Sequence, residues 1–307
     1  MKVARKQRVL VLGVTGMLGS SLFRAFRADG SLDTFGTMRS EAGAMHFAPK
    51  LRDALIPNVH IESEASILSA FAISKPDVVI NCVGLIKQHP HANDYLENLA
   101  INAVLPHRLA RYSNVVGARL VHFSTDCVFS GKSGQYREGD CPDACDLYGR
   151  TKFLGEVDYE NAVTLRTSII GHELASAKSL VDWFLGQSGE IKGYRRAIFS
   201  GLPTIELARV VREYVVPNPA LRGLYHVSVD PISKYELLRL VAECYERDVA
   251  IFADEDVVID RSLNSDRFKE ATGFRPEPWP LLIKAMHDDY RAKSSRMSLS
   301  QKPSRHE

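Results

Sequence analysis

The sequence predicts an α/β protein built on a doubly wound parallel sheet, with a smaller second lobe toward its C-terminal end. Three observations carry this. From Arg8 to about Ser168, short β-branched apolar runs alternate with longer stretches of helical periodicity. The runs hold apolar residues consecutively, as strands buried on both faces do. After Ile170 the alternation breaks down and helical stretches dominate.

Taken in order, the expected strands are Val9–Leu12, Thr34–Met38, Val78–Cys82, Leu120–Phe123 and Val163–Ile170. The helices between them are Met17–Ala28, Ala65–Ile73, Tyr95–Tyr112 and Leu147–Asn161. Such alternation implies right-handed crossovers and parallel pairing. Later helices are expected at Leu180–Leu185, Ile205–Tyr214 and Lys234–Arg247. A late strand at 224–228 is expected to rejoin the main sheet, so the second lobe is not contiguous in sequence. Residues 292–307 are polar and serine-rich without periodicity, and are expected to be disordered.

The 307 residues are 45% apolar and 25% charged, ordinary for a folded globular chain able to bury a core without staples. A net charge of +2 lacks the dense basic surface of a nucleic-acid binder, so no nucleic-acid partner is expected. No apolar run approaches the ~20 residues of a membrane span. The basic start at Met1 leads straight into glycines rather than a cleavage site, so a cytoplasmic protein is expected. Five scattered cysteines do not form a disulfide framework, and Cys141 with Cys145 has no second pair to complete a metal site.

The first strand ends in Gly13-Val14-Thr15-Gly16-Met17-Leu18-Gly19, and a helical pattern follows at once. Glycines there let the backbone turn tightly and approach a pyrophosphate, which the open helix N-terminus then attracts. In this position the motif predicts a Rossmann-type dinucleotide site rather than a bare turn. The second strand ends in Gly36-Thr37-Met38-Arg39-Ser40, with no acid to accept a ribose diol. Arg39 and Ser40 therefore favour NADPH over NADH, the alternative being an ordinary loop arginine.

Two further signals follow. Ser124-Thr125-Asp126 closes the fourth strand, and Tyr148-Gly149-Arg150-Thr151-Lys152 opens the next helix. A tyrosine and a lysine four apart share a helix face. The ammonium is expected to lower the phenol's pKa toward the working range.

The elements GVTGMLG, STDCVFSG and YGRTK, in this order, resemble extended short-chain dehydrogenases, and within them the dTDP-4-dehydrorhamnose reductase branch. The resemblance spans roughly 8–290, with support from Asn81, Ile101-Asn102-Ala103, Leu165-Arg166-Thr167-Ser168, Gly201-Leu202-Pro203-Thr204, the stretch from Arg261 to Ser265, and Pro278-Trp279. It implies residues 1–170 as the dinucleotide-binding unit and 171–291 mainly as a substrate-binding lobe. It implies catalytic roles for Thr125 (binding the carbonyl), Tyr148 (protonating the reduced oxygen) and Lys152 (orienting the ribose). Cofactor contacts are implied at Gly13, Thr15, Gly16, Met17, Leu18, Gly19, Arg39, Ser40, Ile61, Cys82, Val83, Gly84 and Asn102, as well as Tyr148 and Lys152. Substrate contacts are expected from Lys87, Thr125, Asp126, Thr204, Arg261 and Asn264. Lys87 reads equally as a solvated loop lysine, and Arg261 as a surface ion pair.

Two departures from the branch stand out. Cys127 replaces a tyrosine and cannot serve as the carboxylate base of a dehydratase, and His60 replaces an aspartate that touches adenine. The implied activity is NADPH-dependent reduction of a nucleotide-linked 4-keto sugar. A nucleotide-sugar 4-epimerase and a non-catalytic NADP-binding regulatory subunit are the alternatives, and homodimerisation is left open.

Overall fold

The computed structural model describes residues 5–300. The chain opens with β1 (Gln7–Leu12), α1 (Met17–Ala28), β2 (Leu32–Thr37), two 3-10 turns at Glu41–His46 and Pro49–Ala54, and a short β3 (Leu55–Ile56). Next come α2 (Glu64–Ser74), β4 (Val78–Asn81), α3 (Tyr95–Asn98), a widened π-type segment at Leu99–Val104, and α4 (Leu105–Val115). β5 (Arg119–Thr125), α5 (Leu147–Leu154), β6 (Ala162–Thr167) and β7 (Ile169–Ile170) follow. The later elements are α6 (Leu180–Leu185), β8 (Gly189–Tyr194), β9 (Ala197–Phe199), β10 (Leu202–Pro203), α7 (Thr204–Val210) and β11 (Gly223–His226). They end with β12 (Ile232–Ser233), α8 (Lys234–Cys244), β13 (Val249–Asp254), β14 (Ile259–Asp260), α9 (Asp266–Thr272) and α10 (Trp279–Ser300).

Seven strands form one sheet in the order β11-β6-β5-β4-β1-β2-β3, and every pairing in it is parallel. The consecutive apolar runs have a direct structural cause. Val9 and Val11 point into a core shared with Leu22, Phe23 and Leu207, while Leu10 and Leu12 point into another shared with Ile67, Leu105 and Leu109. A strand that must satisfy two cores has no face left for polar residues. The chain winds outward from β1 on one side and resumes at β4 on the other. The C-terminal ends of β1 and β4 therefore meet at the switch point where such sheets open a crevice.

Beyond β7 the chain builds three small sheets: β10 with β7, β12-β9-β14, and β13 with β8. β11 then returns to pair with β6, with His226 opposite Arg166. α7 packs on α1, and α10 packs on both α7 and α8. No helix among the described residues is long and apolar enough to cross a membrane.

Several elements depart from the periodicity. The helix expected over Leu147–Asn161 stops at Leu154, where Gly155 fits against Asn102 too closely for a side chain: a Cβ would lie 1.9 Å from the Asn102 carbonyl oxygen. The strand expected over Val163–Ile170 breaks at Ser168, and Ile169–Ile170 pairs with Leu202–Pro203 instead. The backbone of 292–300, expected to lack regular structure, continues α10. Residues 301–307 lie outside the described residues.

Candidate active site

The chain leaves β1 through Gly13, whose φ of +80° is open to glycine at no cost. Gly19 is needed for a different reason. A Cβ there would lie 2.3 Å from the Gly13 carbonyl oxygen, so the first turn of α1 can press onto the loop only without a side chain. Thr37, closing β2, braces the loop: its hydroxyl accepts from the Gly13 amide at 3.1 Å and its carbonyl from the Val14 amide at 3.0 Å. α1 begins at Gly16 with no side-chain cap, which leaves its first amides and positive dipole end facing the crevice. An uncapped helix end beneath a glycine turn fits a pyrophosphate. Thr15 and Met17 stand at its mouth and Leu18 is buried beneath it.

Arg39 and Ser40 lie exposed on the loop after β2, where the Ser40 hydroxyl accepts from the Ala42 amide at 3.2 Å. The loop is held close, because Val59 donates to the Met38 carbonyl at 3.1 Å and Ile61 beyond it is buried. His60 is exposed, and its backbone amide donates to Ser66.

The chain leaving β4 forms the opposite wall. Cys82 donates its amide to the Leu12 carbonyl, and Val83 lies directly against Gly13. Asn102, in the π-type segment, clamps Leu85 by accepting from its amide at 2.9 Å and donating to its carbonyl at 3.0 Å. Gly84 sits between Asn102 and the Lys152 ammonium.

Thr125, the last residue of β5, donates its hydroxyl to Asp126 at 3.1 Å and accepts from the Cys127 amide at 3.1 Å. The Tyr148 phenol lies beside the Thr125 hydroxyl. One turn along α5, the Lys152 ammonium donates to the Phe123 carbonyl at 2.6 Å. Asp146 caps α5 by accepting from the Gly149 amide at 2.9 Å, and it also accepts from the Lys87 ammonium at 2.9 Å. That ammonium stands 5.5 Å from the centroid of the Tyr148 ring. These contacts bring Thr125, Asp126, Tyr148, Lys152 and Lys87 to one place.

Burial sets the protonation of the group. It pushes the Tyr148 phenol above its ordinary range, with the neighbouring Cys127 thiol adding and the Thr125 hydroxyl opposing. It also raises the Asp126 carboxyl, against the hydrogen bond from Thr125 and the charge of Arg261. The Cys127 thiol rises to about 11 through burial and then Asp126. Burial lowers Lys152 to about 8, with Glu156 and then Cys82 opposing. The expected lowering of the phenol is thus reversed here: burial first, and then Cys127, keep the proton on Tyr148, while the ammonium donates to Phe123.

Of the residues expected to contact a substrate, Arg261 donates to the Phe129 carbonyl at 2.8 Å, and its charge reaches Asp126, Cys127 and Asp146. Thr204 is buried beside Gly171, near Met17 and the glycine loop. The Asn264 side chain faces Asp266, donating to its carboxylate and accepting from its amide, both at 2.9 Å. Cys141 and Cys145 are exposed and free.

Sequence reasoning passed over Glu156. Its carboxylate accepts from Ser124 at 2.6 Å and from Arg166 through two bonds of 2.7 Å. The signal was present, since Tyr148, Lys152 and Glu156 are spaced by four and Arg166 lies in a stretch already singled out.

Comparison with known proteins gives a consistent result. Residues 7–291 match the family described as the RmlD substrate binding domain. The spore coat polysaccharide biosynthesis protein SpsK of Bacillus subtilis is 27% identical over 286 residues, covering 89% of this chain and 94% of that protein. Methionine adenosyltransferase 2 subunit beta of Xenopus laevis is 26% identical over 254 residues, covering 78% of this chain and 72% of that one. The crystal structure of dTDP-4-dehydrorhamnose reductase from Bacillus anthracis in complex with NADP superposes with a TM-score of 0.76 at 21% identity, covering 94% of this chain and 100% of that one.

Proposed function

The chain belongs to the family of the RmlD substrate binding domain, and from that membership we propose that it reduces the C4 ketone of a nucleotide-linked 4-keto-6-deoxy sugar with NADPH. The observation that carries this is the meeting of Thr125, Tyr148 and Lys152 at the C-terminal end of β5, across the crevice from the glycine turn. The relatives named for dTDP-4-dehydrorhamnose reduction and spore coat polysaccharide biosynthesis support the substrate class.

Gly13 to Gly19 would hold the pyrophosphate, with Arg39 and Ser40 beside a 2′-phosphate and Ile61 near the adenine. Cys82, Val83, Gly84 and Asn102 would line the nicotinamide side, with NADH as the alternative donor. Bound there, the nicotinamide supplies the hydride. Residues 171–291 supply most of the substrate wall, with Arg261, Thr204 and Asn264 as its candidate contacts and Lys87 and Asp126 facing them from the sheet side.

The residues then divide the remaining work. Thr125 turns its hydroxyl from Asp126 to the ketone oxygen, fixing the carbonyl. Tyr148, whose raised pKa keeps it protonated, gives its proton to the oxygen as the hydride reaches C4. The phenolate left behind would be stabilised by the Lys152 ammonium, one turn along the same helix face, until solvent returns the proton. Positioning supplies much of the rate, since both transfers need the carbonyl held at one angle.

The test is NADPH oxidation at saturating cofactor with dTDP-, UDP- and GDP-linked 4-keto-6-deoxy sugars generated in situ. Turnover of one panel member, lost in Tyr148→Phe, is the expected result. A wholly inert panel with NADPH still bound overturns the reading. It would favour the non-catalytic subunit reading, which the similarity to methionine adenosyltransferase 2 subunit beta supports, and co-purification with a partner enzyme would test that. Turnover without net NADPH consumption would indicate a 4-epimerase.

A further inference from the structure

We propose that Glu156 is a positioning residue of this reaction centre, its carboxylate locked between Ser124 and Arg166 so as to maintain the charge and aim of the Lys152 ammonium. The inference rests on the reductase reading for the role of Lys152.

Glu156 lies just past the end of α5, one helical repeat beyond Lys152 and after the turn at Gly155. Three donors fix it: the Ser124 hydroxyl at 2.6 Å, and Arg166 Nε and Nη2 at 2.7 Å each. Ser124 and Arg166 are register partners on β5 and β6, so both anchors sit on adjacent rigid strands. The pair is buried, with Arg166 2% and Glu156 10% exposed, and the guanidinium lies 5.1 Å from the centroid of the Phe129 ring. His226 on β11 closes the far side, its Nε2 3.3 Å from Arg166. A carboxylate held this firmly cannot swing toward Lys152, so it acts on the ammonium as a fixed charge.

Lys152 needs one. The groups facing its ammonium are few. The Phe123 carbonyl accepts its hydrogen bond from β5. The buried His122, also on β5, is kept neutral by its burial and by the Lys152 charge, and so adds no charge of its own. The Cys82 thiol at the end of β4 is held protonated by burial. Among the described residues, Glu156 is therefore the largest charge that favours the ammonium, and it opposes the burial that drives Lys152 toward neutrality. Arg166 tempers it, and removing the carboxylate alone would leave that guanidinium as an uncompensated repulsive charge nearby.

The test compares wild type with Glu156→Gln, which keeps the size and an acceptor for Ser124, and with Glu156→Asp, which keeps the charge. NADPH affinity and kcat/KM are both followed from pH 6 to pH 9.5. In Glu156→Gln the alkaline fall is expected to begin about one pH unit lower, with affinity at pH 8.5 down about tenfold and little changed at pH 6.5. Glu156→Asp should restore most of the wild-type profile. The double variant Glu156→Gln/Arg166→Met removes the orphaned guanidinium, keeping the test open where the single variant folds poorly. There the limb is expected to move less than in Glu156→Gln. A loss equal at every pH, or an unmoved alkaline limb in folded Glu156→Gln, would overturn the proposal. Failure of the wild type to bind NADPH at any pH would instead count against the reductase reading.

Discussion

The side chain of Val83 stands where a β-carbon on Gly13 would have to go: the two would lie 2.9 Å apart. The exit from β4 thereby closes on the exit from β1, and the cofactor crevice has its floor.

A methyl group at Gly13 must both occupy that contact and adopt a φ of +80°. Gly13→Ala is expected to cost about 1–3 kcal/mol of stability. NADPH affinity should fall more than tenfold, read by titration calorimetry against a thermal unfolding control. Unchanged affinity in a folded variant would refute a pyrophosphate seat at this turn.

Arg39 should decide the cofactor. Arg39→Asp replaces a cation suited to a 2′-phosphate with an acceptor suited to a ribose diol. NADPH binding is expected to weaken by about tenfold or more while NADH binding holds or improves, as measured by parallel titrations. Equal losses for the two cofactors would mean that Arg39 is an ordinary loop residue.

The ammonium of Lys152 has its pKa lowered from 10.5 to about 8 by burial, so the cofactor-free fold binds fewer protons than the unfolded chain between those values. Its contribution to stability therefore rises with pH across that window, by at most about 1.4 kcal/mol per unit. Urea denaturation at pH 7.5, 8.5 and 9.5 should show the wild type gaining on Lys152→Met as pH increases. NADPH affinity should run the other way, because the neutral amine is a poorer donor to a ribose hydroxyl. A constant gap between wild type and Lys152→Met would contradict the lowered pKa.

Arg166→Met should be among the most damaging substitutions away from the crevice itself. It strands the buried Glu156 carboxylate, for which a cost of about 3–5 kcal/mol is expected. Adding Glu156→Gln should recover part of that loss, since a neutral amide costs less to bury without Arg166 than a carboxylate does. Chemical denaturation of the two variants measures both effects.

The parts of this molecule that are legible in its sequence are those governed by short-range rules. Met17–Ala28 and Leu180–Leu185 were recognisable to the residue because their ends coincide with a glycine or serine and their apolar spacing is regular. The glycine turn, Thr125, Tyr148 and Lys152 could be named because a motif and its place after a strand are both local. What stayed hidden depends on contacts between distant segments. The stop at Leu154 follows from Gly155 meeting Asn102, more than fifty positions earlier: the glycine marks the stop, but the contact that requires it is distant in sequence. The raised pKa of Tyr148 is hidden for a similar reason, because the burial that causes it is made by segments distant in sequence.

The strand Gly223–His226 reaches the sheet long after its neighbour Ala162–Thr167 has been synthesised. Until it arrives, β6 is an open edge whose six residues are all destined for burial, a template for pairing with a foreign strand. A chain cut after Ile170 would keep every residue of the dinucleotide motif and still expose that edge, with Arg166 deprived of His226. Such a fragment is expected to aggregate rather than bind nucleotide. On the ribosome, the same delay makes the middle of the chain the interval in which this protein most needs protection from its neighbours.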